Sequence, residues 1–449
     1  MTSEPRSLPA RWRAAAWLCL VVTLATGTLL RLQWTGRISP PFNSHFLLHG
    51  HSHVALLGWA FIGIFGLVFG RGVWQVEIRR TGAPDEWEDG SRTPREGQGA
   101  GTRAMREQGA GGDWNPRPGK KGGARNPSDG KLRRVGRLTL EGLFLILVLA
   151  MTLAFILEGY APRSTALSLV HVIISLGLVW VYTGDVRDRL PTGARRWIDL
   201  SMAWFVVAQL GPLLLAGGVW MGPAWIDAWV GYYLAVLFNG WLTFAAIGLL
   251  VAGGHLDPAP WVRPWMAFGV LPTAAPALQG WFTIPMGPWI GWGGHLLLGG
   301  GLLVVAWRTL GEGGVGEGLL HRSVVGALLL LGLLMPVGTL PGLHEQVMAT
   351  PNLVIGFVHL QLLGLVTATL LLCLYPRRRS SLPVHLFLAG GWALILTLLG
   401  VGMANLAGRS VHMPVQEILT LTGAVALLGV LLLPLAREPV RDRHPRVGP

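Results

Sequence analysis

The chain has 449 residues, of which 51% are hydrophobic and 13% are charged. Soluble proteins carry roughly a quarter charged residues, so this composition excludes an ordinary soluble enzyme and indicates a membrane protein. The net charge of +13 would suggest a nucleic-acid partner in a soluble chain. Here the basic residues lie in predicted loops and the chain has no nucleic-acid-binding motif, so the expected partner is the lipid bilayer.

Apolar runs of about 20 residues, the length that crosses a bilayer, recur along the whole chain. They predict an all-α integral membrane protein with about twelve transmembrane helices. The first two lie within residues 1–74 and ten more within 135–437, and residues 438–449 form a tail. The predicted spans are 14–31, 46–70, 138–157, 165–184, 199–220, 229–253, 264–284, 289–308, 322–341, 353–375, 383–404 and 414–436.

Residues 75–134 separate the second span from the third. They are rich in Gly, Arg, Glu and Pro and have almost no apolar residues, so they cannot bury enough surface to fold. This composition predicts a disordered, basic cytoplasmic loop; a small extramembrane domain is the alternative.

Twelve spans place the basic residues on one side of the membrane. Basic clusters precede the first span, fill the long loop and follow the fourth, tenth and last spans, whereas the loops on the opposite side carry few Lys or Arg. Since cytoplasmic loops are enriched in Lys and Arg, this pattern predicts that both termini are cytoplasmic.

The second span begins with three alternating histidines, in the sequence His49-Gly50-His51-Ser52-His53. Ionisable residues inside a membrane are functional-site candidates by default. His171, His295 and His359 lie about two turns into the fourth, eighth and tenth spans at 3.6 residues per turn, so these imidazoles are expected to share one layer. Two facing imidazoles suit a haem iron, and three or more suit copper or zinc. The alternative for any single histidine is an interhelical hydrogen bond.

The segment Ile355-Gly-Phe-Val-His359-Leu-Gln-Leu-Leu-Gly364 resembles the tenth-helix motif of haem-copper oxidase subunit I, in particular its C-type branch. In that family, two histidines two residues apart ligate the high-spin and the low-spin haem. His359 takes the low-spin position and Phe357 replaces the high-spin ligand. The family's other low-spin ligand lies near the outer end of the second helix, where this chain has His51 and His53. The resemblance thus implies a subunit I-like bundle.

The copper site of that family has no counterpart in this sequence. The family holds copper with histidines on its sixth and seventh helices, and the corresponding spans contain none; the sixth carries Asn239-Gly240-Trp241 instead. Neither bound copper at that centre nor oxygen reductase activity is therefore expected.

The resemblance implies a haem b between His51 or His53 and His359. Successive helical residues are rotated by ~100°, so His51 and His53 point about 200° apart and only one can face His359; we expect it to be His51. The implied role is respiratory electron transfer, or handling of nitric oxide or oxygen, in a bacterial inner membrane. Cytochrome c or quinol would donate electrons, and other respiratory subunits are possible partners. Catalysis would need a second metal site near His171 and His295. The alternative is a haem-free membrane transporter or assembly factor for metal ions or protons.

Overall fold

A computed structural model describes residues 10–39, 43–70, 127–311, 318–375, 381–409 and 414–435. All regular secondary structure in these ranges is helical. Residues 75–126 of the predicted loop and the predicted tail 438–449 lie outside the described residues.

Helical segments in the described ranges follow the twelve predicted spans in order, and we number them α1 to α12. The seventh segment, α7, is made of Val262–Val270, Leu271–Ala274 and Ala275–Leu278, and a short helix, His344–Met348, precedes α10. The other bounds are α1 Ala10–Trp34, α2 Ser44–Phe69, α3 Pro127–Glu158, α4 Pro162–Arg189, α5 Thr192–Gly218, α6 Pro223–Ala252, α8 Gly287–Gly311, α9 Leu319–Gly338, α10 Pro351–Leu374, α11 Leu382–Leu406 and α12 Val415–Leu435.

Ten of these segments are long and apolar enough to cross a membrane. This confirms an all-α, multi-pass membrane protein; the exceptions among the described segments are α3 and α7. The α7 segment tightens into a 3₁₀ turn at Leu271–Ala274 and ends at Leu278. Pro272 and Pro276 explain this irregularity, because proline has no backbone N–H to donate inside a helix.

The α3 helix starts earlier than the sequence predicted. It begins at Pro127, so residues 127–134 are helical where a disordered loop was predicted. Proline suits the first turn of a helix because its N–H would have no partner there in any case. Within α3, Gly142–Glu158 is an apolar helix of 17 residues.

Three helices form the centre of the bundle. In their most apolar windows, 89% of the residues of α2 are buried, 83% of α6 and 72% of α10, against 56% or less in the other spanning helices. Each of the three contains a π-helical segment: Val54–Ala60, Leu237–Leu242 and Leu360–Thr367. Such segments are rare and frequently accompany functional sites.

Side-chain hydrogen bonds join the central helices at these π segments. Trp59 of α2 donates from Nε1 to Thr367 Oγ1 of α10 at 2.8 Å. Gln361 of α10 donates from Nε2 to the Phe238 carbonyl of α6 at 2.7 Å, and Asn239 donates to Thr273 Oγ1 of α7 at 3.1 Å. These polar side chains therefore connect neighbouring helices.

Candidate haem site

The structure places four of the predicted histidines at similar depths in their helices. His51, His171, His295 and His359 lie seven, nine, eight and eight residues beyond the first residues of α2, α4, α8 and α10. At 1.5 Å per residue these offsets are about 10 to 14 Å. They differ, however, in what their imidazoles contact.

The His51 imidazole is anchored by α1. Its Nδ1 lies 3.0 Å from the Thr23 carbonyl oxygen and 3.2 Å from Thr26 Oγ1. The two helices approach closely here, because a Cβ atom added at Gly27 would lie 3.0 Å from His51 Cε1. A ring that donates from Nδ1 to a carbonyl presents Nε2 as a lone-pair donor, which is the usual arrangement of a metal-ligating histidine.

His359 has the same arrangement within its own helix. Its Nδ1 lies 2.8 Å from the Ile355 carbonyl oxygen. Neither His359 nor His51 has a hydrogen bond at Nε2 among the described residues, and both side chains are half-buried. The π segment of α10 begins at the next residue, Leu360.

His51 and His359 lie close enough for their charges to interact. Arg31 of α1 lies within electrostatic range of both rings. The Arg31 side chain is 8% exposed, donates to Gln416 Oε1 of α12 at 3.2 Å and lies over the Trp34 ring. Among the described residues no carboxylate pairs with it, so a buried cation without a counter-ion stands beside two imidazoles.

The His53 imidazole belongs to another part of the bundle. It stacks on Phe155 of α3 with ring centroids 3.9 Å apart and lies within electrostatic range of His171. His51 and His53 therefore have different neighbours, as expected from their ~200° separation.

His171 and His295 are not brought together as a pair. His171 lies between Phe61 of α2 and Phe144 of α3, with ring centroids at 5.8 and 5.0 Å. His295 bonds through Nδ1 to the Gly291 carbonyl at 2.9 Å and lies within electrostatic range of His344. The described neighbours of the two rings thus give no support to a metal site that both would share.

The residues around His51 and His359 fit a haem. Two anchored imidazoles with free Nε2 atoms are the ligand types that would hold a haem iron. An unpaired buried charge is unfavourable unless an opposite charge compensates it, and haem propionates would supply that charge to Arg31. In the described ranges, no group of three or more His, Cys, Asp or Glu side chains could hold a metal ion, and a haem needs only two imidazoles.

Comparison of the chain with protein-family models and with curated proteins found no match. The haem-copper oxidase resemblance thus remains an expectation from the residues of α2 and α10.

Sequence reasoning missed Arg31 and the anchoring role of Thr23 and Thr26. Arg31 lies at the end of an apolar run, where an arginine is usually a membrane-boundary residue. Its burial depends on the packing of α12 against α1, for which the sequence carries no pattern.

Proposed function

We propose that this chain is a haem-copper oxidase subunit I-like membrane protein that binds one haem b between His51 and His359. The observation that carries the proposal is that two anchored imidazoles lie within electrostatic range of each other and of a buried arginine that no described carboxylate neutralises. In this proposal α3 and α7 also cross the membrane, giving twelve spans with both termini in the cytoplasm of a bacterial cell.

Each residue of the site has a separate role in binding the proposed haem. His51 and His359 ligate through Nε2, while the carbonyls of Thr23 and Ile355 keep each ring oriented through Nδ1. Arg31 binds the propionates, and Gly27 lets α1 approach the His51 ring. When bound, the haem supplies one-electron redox chemistry.

A haem held by both histidines would have no open coordination position, so it would supply electron transfer and not gas binding. The proposed role is therefore respiratory electron transfer, with cytochrome c or quinol as donor and other respiratory subunits as partners. Handling of nitric oxide or oxygen would require a second, open metal site.

The test is a reduced-minus-oxidised optical spectrum of the purified protein from haem-replete cells. We expect a sharp low-spin α-band that His359→Ala abolishes. His385→Ala is the matched control, because His385 makes the same Nδ1 contact four residues back, to Ser381 at 2.8 Å, on an exposed position of α11. A colourless wild-type preparation overturns the proposal and favours the haem-free transporter or assembly factor.

A further inference from the structure

An open groove lies between α5 and α7, near the first turn of both helices. Its volume is about 520 Å³. Arg196 and Leu200 line it from α5, and Arg263, Ala267 and Phe268 line it from α7. The four-residue spacing within each set places these side chains on one face of each helix. We call this cavity the α5–α7 groove.

The mouth of the groove carries two arginines that lack a described counter-ion. Arg196 and Arg263 both line the groove, lie within electrostatic range of each other and form no ion pair with a described carboxylate. Asp199 is also in the lining, but its two carboxylate oxygens accept hydrogen bonds from Arg187 at 2.9 and 3.0 Å. Like charges held close together repel each other, so an anion between Arg196 and Arg263 would stabilise both.

The deeper wall of the groove is apolar. Helical residues advance by 1.5 Å each, so Phe268 lies about 7.5 Å further along α7 than Arg263. Leu200, Ala267 and Phe268 line this part, and the Phe268 side chain is 77% exposed. Positive charge at the mouth and apolar surface further in match the order of phosphate and acyl chain in a phospholipid.

Two tryptophans mark the depth of the mouth in the membrane. Trp261 and Trp265 flank Arg263 in the sequence, both are exposed, and their rings meet edge to face with centroids 5.9 Å apart. Tryptophan is enriched at the membrane–water interface, so the mouth lies at the level of the lipid headgroups. In the proposed twelve-span topology this end faces the cytoplasm, where the membrane surface is negatively charged.

We propose that the α5–α7 groove binds one anionic phospholipid, with its phosphate between Arg196 and Arg263 and an acyl chain along Ala267 and Phe268. Basic pockets between transmembrane helices bind anionic headgroups in this way. Arginine suits this role because its planar guanidinium presents several N–H donors that match the geometry of a phosphate. The groove lies on helices that contribute no haem ligand, so this proposal does not depend on the haem.

The test is native mass spectrometry of the full-length, detergent-purified protein, titrated with phosphatidylglycerol or with phosphatidylcholine of the same acyl chains. Each arginine at a membrane surface strengthens the binding of anionic lipid by about fivefold. We therefore expect one phosphatidylglycerol per chain to bind about 25-fold more tightly than phosphatidylcholine, and Arg196→Gln or Arg263→Gln each to weaken its binding by about fivefold. Arg195→Gln is the matched control, because Arg195 is the neighbour of Arg196 but pairs with Asp188 at 3.4 Å and does not line the groove.

A second pair of measurements separates a lipid from a soluble anion. Phe268→Ala should weaken the binding of phosphatidylglycerol, whereas Phe282→Ala, which is exposed and outside the groove, should not. Inorganic phosphate at the same concentration should not displace the lipid. The proposal is overturned if the wild type binds both lipids equally, if Arg195→Gln weakens binding as much as Arg196→Gln, or if inorganic phosphate displaces the lipid. Gel filtration checks the folding of each variant, and the wild-type comparison of the two lipids decides where a variant fails to fold.

Discussion

Arg31 is the residue of the candidate haem site whose buried charge most needs a negatively charged partner. It is buried, and its described partners are the neutral amide of Gln416 and the Trp34 ring. A cation at this position attracts an anionic cofactor and stabilises the reduced over the oxidised form of a neighbouring redox centre. Arg31 thus links the packing of α1 and α12 to the redox behaviour of the proposed site.

The effect of removing the Arg31 charge can be predicted. Arg31→Gln should lower the haem midpoint potential by on the order of 60 mV, which is a tenfold change in a one-electron equilibrium. Spectroscopic redox titration measures the shift. Arg37→Gln is the control, because Arg37 is exposed and pairs with Glu417. Equal potentials for wild type and Arg31→Gln would place Arg31 outside the electrostatic environment of the haem.

At the scale of elements, the π segments hold α2, α6 and α10 together. The Val54–Ala60 and Leu360–Thr367 segments each begin directly after a histidine, His53 and His359. The hydrogen bond from Trp59 to Thr367 connects these two segments below the candidate haem site. It therefore helps to fix the position of His51 relative to His359.

A double-mutant cycle tests this connection. Trp59→Phe, Thr367→Val and the double variant should show a coupling energy of about 0.6 kcal/mol, and no more than roughly 1.7 kcal/mol, as for other interhelical hydrogen bonds in membranes. Denaturant unfolding in detergent measures it. Thr420→Val serves as the unrelated partner, because its hydroxyl bonds within α12 to Gln416. If the coupling energy of Trp59→Phe with Thr367→Val is as small as that of Trp59→Phe with Thr420→Val, the hydrogen bond between Trp59 and Thr367 does not stabilise the protein.

At the scale of the whole molecule, the path of α7 decides on which side of the membrane the later loops lie. If α7 crosses the membrane, the loops before and after it lie on opposite sides, and the positive-inside pattern continues into the loops that follow it. If it does not cross, all later basic loops are inverted relative to the prediction. Because α7 is interrupted by a 3₁₀ turn at Leu271–Ala274, its crossing of the membrane is the point to test.

Single cysteines report the side of each loop. With twelve spans, Thr283→Cys and Glu345→Cys should react with an impermeant maleimide in intact cells, and Asp257→Cys only after permeabilisation. All three positions are exposed. The parent chain provides the background, because Cys19 is buried and Cys373 is half-buried. Identical labelling of positions 257 and 283 would show that α7 does not cross.

The sequence by itself determined the membrane class and the approximate positions of the helices. Apolar length is a local property, since each span must satisfy its backbone groups internally, so the apolar runs were readable without knowledge of the contacts between them. The histidines on α2, α4, α8 and α10 were identified in the same way, because imidazole is rare in hydrocarbon.

Only the tertiary structure decided which histidines meet. His51 lies within electrostatic range of His359 and Arg31. His53 instead stacks on Phe155 of α3. The helical rotation of ~100° per residue separates His51 from His53, but the partner on each side depends on which helix packs there. That choice is made by contacts between residues hundreds of positions apart, such as Trp59 with Thr367, and no local pattern in the chain encodes them.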